Sequence, residues 1–157
     1  MSVDILDQER NEMKMHSHNF VLWKRKWEEH RELHTLDWQF RKLADSEKSS
    51  IPSNAGIYTL IVQPGIANHP ACSYLIYVGQ TKSLNRRFGE YLKERQNETG
   101  RPKISYWLRQ YPNHTWFYFS LVSRDYLDDA EDSLLCAYLP PANDRFPATV
   151  RRVINAF

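Results

Sequence analysis

Two short runs of β-branched and aromatic residues constrain the fold more than any other feature of this sequence. The runs are GIYTLIVQ at 56–63 and YLIYVG at 74–79, and a loop with two prolines and a glycine separates them. Such runs are typical of strands, and proline and glycine between them are typical of a turn. The pattern therefore predicts a β-hairpin with a long loop.

The residues after the hairpin predict alternating helix and strand. Ser83 is suitable as the N-cap of the next helix, and Pro140-Pro141 would end the last one. We therefore predict an α/β fold of the α+β sandwich type, in which helices flank a small three-stranded antiparallel sheet. The predicted elements are a helix at 83–96, a short helical segment at 104–111, a strand at 114–123 and a helix at 125–139.

The first 50 residues read as an N-terminal helical extension of a main domain at 51–157. Apolar residues recur at spacings of three and four over 19–45, which predicts a helix there, and a polar stretch near residue 50 is typical of a linker. The aromatic stripe that includes Trp23 and Trp27 has three open uses: the main domain, a second copy of the chain, or nucleic acid. Packing on the main domain is the ordinary fate of such a stripe.

Composition excludes several classes of protein. The chain has 157 residues, 41% of them hydrophobic, which is enough for one core. Its first twenty residues lack the apolar run of a secretory signal, and no later segment approaches the length of a membrane span. Cys72 and Cys136 stand far apart without metal-ligand spacing, so we expect reduced thiols. We expect a cytoplasmic protein with no membrane partner.

Charge is unevenly distributed along the chain. Residues 82–109 carry eight Lys and Arg against three Glu, whereas 124–132 carries one arginine against five acids. A basic surface next to an acidic helix suits an enzyme that holds a polyanion together with a divalent cation. The alternative is that both runs are solvated helix faces.

Two helical positions are informative on geometry alone. Arg87 and Tyr91 are four residues apart and therefore lie one above the other on their predicted helix. Glu131 falls only about 60° from Leu134 around the last helix, inside its apolar sector. A partly buried carboxylate needs a cation, a metal or a donor, so Glu131 is a candidate site residue. The alternatives are a surface arginine that covers apolar area and a salt bridge at Glu131.

These residues together resemble the GIY-YIG nucleases. Gly56-Ile57-Tyr58 matches the first signature of that family, and Tyr77-Val78-Gly79 matches the second with valine in place of isoleucine. The resemblance covers residues 51–143, and the ordered set is far more specific than a lone three-residue match. The other matching positions are Arg87, Tyr91, Glu131 and Asn143.

The resemblance implies a metal-dependent endonuclease that hydrolyses phosphodiester bonds, with DNA as the expected substrate. Glu131 would be the only protein ligand of one divalent ion, Mg²⁺ or Mn²⁺. Arg87 would supply fixed positive charge to the transition state. Tyr77 would be the general base with Tyr58 hydrogen-bonded to it, because no histidine occupies that position. Tyr91 would position the water or the phosphate.

The remaining expectations concern geometry and substrate binding. Asn143 would hold the geometry of the site, and Gly79 would let a sugar-phosphate backbone approach. A homodimer or a partner protein at the N-terminal helix would add specificity. The alternative function is a weakly active or inactive module of the same fold that binds nucleic acid or protein. The expected substrate contacts are Gly79, Gln80, Lys82, Arg86, Lys93 and Arg95.

Overall fold

A single sheet organises the fold. The computed structural model describes residues 4–33, 35–97 and 100–156. Within these residues, four strands form one antiparallel sheet. The strands are β1 (Gln39–Lys42), β2 (Gly56–Val62), β3 (Tyr74–Thr81) and β4 (Thr115–Leu121), in the spatial order β1-β4-β2-β3. β3 is therefore an edge strand.

Helices lie on both sides of this sheet. In the described part of the chain, no helix is long and apolar enough to cross a membrane. The α-helices are α1 (Ile5–Met15), α2 (Lys24–Leu33), α3 (Leu84–Asn97), α4 (Pro102–Gln110), α5 (Leu127–Tyr138) and α6 (Ala148–Ile154).

The two faces of the sheet carry separate apolar clusters because neighbouring strand residues point to opposite faces. On one face, which we call the α3 face, Tyr58 and Phe117 pack with Phe88 of α3 and with residues of α4. On the other, the α5 face, Ile57 packs with Leu134 and its neighbours on α5. The helix before β4 and the helix after it are thus held apart by the thickness of the sheet.

A β-bulge interrupts the hairpin and changes which face β3 presents. Leu60 pairs with Tyr77 and Ile61 pairs with Leu75, so Ile76 is an additional residue without a partner on β2. Ile76 and Tyr77, although consecutive, both belong to the cluster on the α3 face. Bulges of this kind re-aim side chains at the edges of sheets.

The structure confirms the α+β class, the hairpin, and the helices and strand predicted after it, but the prediction of three strands was wrong. The fourth strand, β1, lies inside the stretch 19–45 that the apolar spacing predicted as helix. Leu36, Trp38 and Phe40 also recur every second residue, which fits a strand equally well. Pairing with β4 decides between the two, since Phe40 stacks on Tyr118 there.

The N-terminal segment contacts the rest of the chain at several places. The indole Nε1 of Trp27 on α2 donates to the carbonyl of Ala137 at 2.9 Å, so part of the aromatic stripe packs on α5. β1 precedes residue 50 and is nevertheless part of the sheet. The division into 1–50 and 51–157 stays a prediction.

Candidate active site

Three tyrosines from three elements meet on the α3 face of the sheet. Tyr58 lies opposite Gly79 in the hairpin, and Tyr77 stands two residues before Gly79 on the same face. The ring centroids of Tyr58 and Tyr77 are 6.1 Å apart, and the hydroxyls of Tyr58 and Tyr91 are 2.9 Å apart. Tyr58 also stacks on Phe117, so core packing fixes the position of this group.

Gly79 is required by the tyrosines themselves. A Cβ at this position would lie 2.5 Å from the hydroxyl of Tyr58 and 2.8 Å from Cε1 of Tyr77. The expected purpose of Gly79 was to leave room for a sugar-phosphate backbone. The phenol of Tyr58 fills the space that the missing side chain leaves, and the approach of a sugar-phosphate backbone at Gly79 stays a prediction.

Burial keeps two of the three phenols neutral. Tyr58 and Tyr91 are each 1% exposed. Burial raises the pKa of Tyr58 above its ordinary value, the neighbouring Tyr77 adds to the rise, and the charge of Arg87 acts against it. Burial likewise raises the pKa of Tyr91 well above its ordinary value. Both phenols are therefore more strongly held in the neutral form than an exposed tyrosine is.

Arg101 joins this group although the sequence did not identify it as a site residue. Its Nη1 donates to the hydroxyl of Tyr77, and its Nη2 donates to the hydroxyl of Tyr91 at 2.9 Å. The guanidinium carbon lies 4.8 Å from the centroid of the Tyr77 ring, which is a cation–π contact. We call Tyr58, Tyr77, Tyr91 and Arg101 the phenol side of the site.

An acidic group lies on the other face, at the start of α5. Gln80 follows Gly79 and so points to the α5 face. Its Nε2 donates to Oδ1 of Asp128 at 2.6 Å and to Oε2 of Glu131 at 2.8 Å. Two carboxylates therefore converge on one amide nitrogen. We call Asp128, Glu131 and Gln80 the acidic side of the site.

Glu131 is only half-buried, and its surroundings disfavour its charge. Burial raises the pKa of Glu131, the hydrogen bond from Gln80 opposes this, and the charges of Asp132 and Asp128 raise it further. A carboxylate whose charge is disfavoured in this way gains most from a cation. Within the described residues, no group of three or more His, Cys, Asp or Glu is arranged to hold a metal ion.

Asn143 attaches the segment after α5 to the outer edge of β3. Its Oδ1 accepts from the backbone N–H of Val78 at 3.0 Å, and its Nδ2 donates to the carbonyl of Val78 at 2.8 Å. The N–H of Ala142 donates to the carbonyl of Ile76, the bulge residue, at 2.9 Å. Asn143 is 8% exposed and acts on the backbone of β3, which is consistent with a role in geometry.

The two sides open onto one cleft of about 810 Å³ along the edge of β3. Tyr77 and Arg101 line it from the phenol side, and Glu131 lines it from the acidic side. Tyr58 is not part of this lining, and its hydroxyl lies 2.9 Å from that of Tyr91 and forms no hydrogen bond with Tyr77, contrary to our expectation. Further lining comes from Asp132, Leu135, Ala142, Asn143, Asp144, Arg145, Phe146, Pro147, Ala148 and Arg151.

Arg87 lies close enough to Tyr58 to affect its pKa but does not line the cleft. Its Nη1 forms an ion pair with Oε2 of Glu90 at 2.7 Å. Its Nε is buried and makes no hydrogen bond to any described residue. A buried donor without a partner costs about 1–3 kcal/mol, so this atom has an unmet need for an acceptor.

The four basic residues predicted to contact substrate differ in whether their side chains already have partners within the chain. Lys82 and Lys93 are exposed, and Arg86 forms an ion pair with Glu90. The prediction for Arg95 stays a prediction, and its side chain already has backbone partners. Its Nη1 donates to the carbonyls of Leu43 and Pro112 at 2.7 and 3.1 Å, because the side chain joins α3 to the ends of the sheet.

Sequence reasoning missed Arg101 and Asp128. Arg101 is 24 residues from Tyr77 in the chain, and only the path between α3 and α4 brings them together. Asp128 carried a weak signal, since it stands three residues before Glu131, one turn along the same helix face. The pattern of apolar residues identified Glu131 as the only acidic candidate on this helix.

The chain is similar in fold to solved structures of the GIY-YIG N-terminal endonuclease domain of UvrC from Thermotoga maritima. An asparagine-to-alanine point mutant bound to its catalytic divalent cation matches with 18% identity and a TM-score of 0.44, over 64% of this chain and 93% of that one. A tyrosine-to-phenylalanine mutant bound to the catalytic divalent cation matches with 17% identity and a TM-score of 0.43, over 65% and 99%. No protein-family model and no curated protein matches the chain.

Proposed function

We propose that the chain is a metal-dependent endonuclease that hydrolyses phosphodiester bonds in nucleic acid, with DNA as its substrate. The observation that carries the proposal is that Tyr77 and Arg101 line the same cleft as Glu131. A phenol held by a fixed cation and a half-buried carboxylate across the same cleft are groups that suit phosphodiester hydrolysis. The motif resemblance to the GIY-YIG nucleases supports the same reaction.

A single divalent ion, Mg²⁺ or Mn²⁺, fits the residues that are present. Oxygen atoms of Asp128 and Glu131 lie 2.6 and 2.8 Å from one amide nitrogen, so two carboxylates concentrate negative charge in a small volume. Glu131 would hold the ion, because it is the one of the two that lines the cleft. When bound, the ion would supply Lewis-acid stabilisation of the leaving oxygen and of the charge on phosphorus.

Tyr77 is the proposed general base. Burial keeps Tyr58 and Tyr91 neutral, which leaves Tyr77 as the phenol of the three that reaches the cleft. Its hydroxyl would take the proton of the attacking water. Tyr58 and Tyr91 would hold Tyr77 and Arg101 in place, so we propose that they act by positioning.

Arg87 would supply positive charge behind the phenols. Its charge acts on the pKa of the neighbouring Tyr58, which supports an electrostatic role among the phenols. The guanidinium would have to share its other nitrogens with Glu90, to which it is already paired. Asn143 would hold β3 so that Tyr77 keeps its direction.

The substrate would lie along the cleft, where arginines can contact phosphates. Arg145 and Arg151 line the cleft beside the catalytic groups, and Arg151 is held by two bonds to the carbonyl of Phe146. Exposed Lys82 and Lys93 would extend the basic surface, as the sequence predicted. Such contacts bind the backbone without regard to sequence, so we propose weak intrinsic specificity.

A second candidate function is a nucleic-acid-binding module with little activity. Two observations favour it: Gln80 donates to the Glu131 oxygen that an ion would use, and Arg87 is paired with Glu90. In such a module these contacts would persist when nucleic acid is bound. An active enzyme would have to break or share both.

One assay separates the two candidates. Labelled single-stranded and double-stranded DNA and RNA are incubated with the protein and Mg²⁺, Mn²⁺ or EDTA. We expect metal-dependent cutting of DNA that Glu131→Gln and Tyr77→Phe each reduce about 10²-fold or more. Asp129→Asn is the matched control, since Asp129 is an exposed acid on the same helix and lies outside the cleft.

Three results decide against the proposal. Cutting that survives EDTA would exclude the metal, and cutting that survives both substitutions would exclude the assigned residues. Binding of nucleic acid without cutting under any condition would establish the second candidate.

A further inference from the structure

We infer that Arg101 is a positioning residue that orients Tyr77 and directs the proton of its hydroxyl into the cleft. This inference rests on the proposed function, because it assigns a purpose to Tyr77. It concerns a side chain that no sequence motif identified. The contacts of Arg101 with Tyr77 and Tyr91 carry the inference.

The guanidinium of Arg101 connects β3 to α3 through two phenols. One terminal nitrogen donates to Tyr77 and the other donates to Tyr91. Its carbon lies 4.8 Å from the centre of the Tyr77 ring, so Arg101 contacts both the hydroxyl and the face of that ring. Two of the three contacts of Arg101 are to Tyr77, and the third is to the buried Tyr91. They therefore restrict rotation of the Tyr77 ring.

The direction of the hydroxyl protons follows from the chemistry of arginine. A guanidinium has five N–H donors and no acceptor, so both phenol oxygens must accept from it. Between Tyr58 and Tyr91, one hydroxyl donates to the other. Among the described residues, the Tyr77 hydroxyl makes no side-chain hydrogen bond other than the one from Arg101. Its proton therefore points away from Arg101, and the open side of Tyr77 is the cleft.

The contacts of Arg101 with the phenols are charge-assisted hydrogen bonds. A hydrogen bond in which the donor or the acceptor is ionised is about twice as strong as one between neutral groups. Arg101 stays charged: burial lowers its pKa, but the phenols of Tyr91 and Tyr77 raise it more, so the net direction is upward. Arg101 therefore holds the Tyr77 hydroxyl more firmly than a neutral donor would.

The backbone around Arg101 holds the side chain in place. Arg101 is the N-cap of α4 with extended backbone angles, φ −71° and ψ 123°, and Pro102 follows it as the first helical residue. α4 is fixed in turn by Ile104 and Leu108, which are both fully buried. A side chain at Gly100 would collide with the carboxylate of Glu94, so the chain passes close to α3 at this point.

The first test is a double-mutant cycle. We expect Arg101→Gln to lower kcat about 10²-fold while the Kd for DNA, measured in EDTA, stays within twofold. Tyr77→Phe combined with Arg101→Gln should be no slower than Tyr77→Phe alone, since Arg101 acts through the phenol. Arg101→Lys should lose about tenfold, because an ammonium keeps the charge but lacks the fork. Arg152→Gln, an exposed arginine of α6, is the charge-matched control.

Two kinetic outcomes would overturn the inference. A weaker Kd for DNA, with effects that add to those of Tyr77→Phe, would mean that Arg101 contacts the substrate itself. A kcat equal to that of Arg152→Gln would mean that Arg101 has no part in the reaction.

The second test does not depend on activity. The ring carbons of the tyrosines are labelled, and the Tyr77 and Tyr91 signals are assigned by their loss in Tyr77→Phe and Tyr91→Phe. We expect Arg101→Gln to shift both ring signals and Arg152→Gln to shift neither. Shifted rings in a protein that cuts nothing would reject the proposed endonuclease and retain the contact. Unshifted rings would reject the positioning role even in an active enzyme.

Discussion

The phenol side and the acidic side of the cleft differ in what holds their side chains in place. The tyrosines are fixed by ring packing in the core of the α3 face, where Tyr58 and Tyr91 are almost fully buried. On the acidic side, Glu131 and the exposed Asp128 are held by hydrogen bonds from Gln80. Substitutions on the phenol side should therefore cost stability, whereas those on the acidic side should cost activity alone.

The largest expected effect is the loss of cutting in Glu131→Gln. Metal binding supplies several kcal/mol to the transition state, so we expect a decrease of about 10³-fold in kcat. The unfolding free energy in EDTA should not fall, because the substitution removes a charge that burial and the neighbouring acids disfavour. Denaturant unfolding in parallel with the cutting assay measures both. A loss of about 2 kcal/mol or more in stability would contradict the comparison.

Gly79→Ala should have the largest effect on stability. The added methyl group would lie against Tyr58 and Tyr77, and overpacking of this kind costs about 1–3 kcal/mol. Cutting should fall as well, since both rings must move. Gly89→Ala on α3 is the control, because its methyl group would meet only the flexible end of the Lys48 side chain. We expect the control to be neutral or to gain stability.

An equal response of the two glycine variants would break the comparison. It would mean that the tyrosines can shift without cost and that packing does not fix the phenol side. Thermal unfolding of both variants is sufficient to decide.

Asn143→Ala tests the attachment that joins the two sides. It removes both bonds to the Val78 backbone, and we expect a loss of about 2 kcal/mol in unfolding free energy. Asn143→Asp keeps the acceptor for the N–H of Val78 but loses the donor to its carbonyl, so its cost should differ. Cutting should decrease in both variants, because β3 carries Tyr77. Unchanged cutting in a destabilised Asn143→Ala would limit the residue to folding.

The smallest expected effect is a dependence of stability on pH that comes from Glu131. Its pKa is raised in the folded chain, so the folded state binds this proton more tightly than the unfolded state does. The stability it contributes is fully present below the ordinary glutamate pKa of about 4.3 and is lost as the pH rises through the folded value. Gln80, Asp128 and Asp132 are the polar groups facing it.

The measurement is the difference in unfolding free energy between the native chain and Glu131→Gln, taken in EDTA at several pH values. We expect this difference to move against the native chain as the pH rises. A change in the opposite direction would mean that a donor or cation near Glu131 outweighs its burial.

The sequence predicted most of the fold wherever a residue pattern was compatible with only one type of secondary structure. The hairpin, α3, β4 and α5 all follow from apolar spacing and turn residues. β1 did not, since Leu36, Trp38 and Phe40 fit a short strand as well as a helix, and only the pairing with β4 decides. The bulge at Ile76 likewise arises from how the two strands pair, and the sequence of neither strand predicts it.

The site was predictable where a motif placed residues close together in the chain, and less so where tertiary packing placed them. Glu131 was found from its position in the apolar sector of its helix. Arg101 and the use of Gly79 depend on how distant segments meet. Arg95 has the same charge as the other basic residues of α3, and only the folded structure shows that it donates to backbone carbonyls.

The attachment of Ala142 and Asn143 to β3 also bears on the solubility of the protein. An edge strand with free N–H and C=O groups is a template for strand addition by another molecule and for aggregation. Here an amide side chain takes both backbone groups of Val78, and the N–H of Ala142 takes the carbonyl of Ile76. The segment therefore acts as a substitute for a neighbouring strand, and it covers the edge at the level of the cleft while leaving the cleft itself open to substrate.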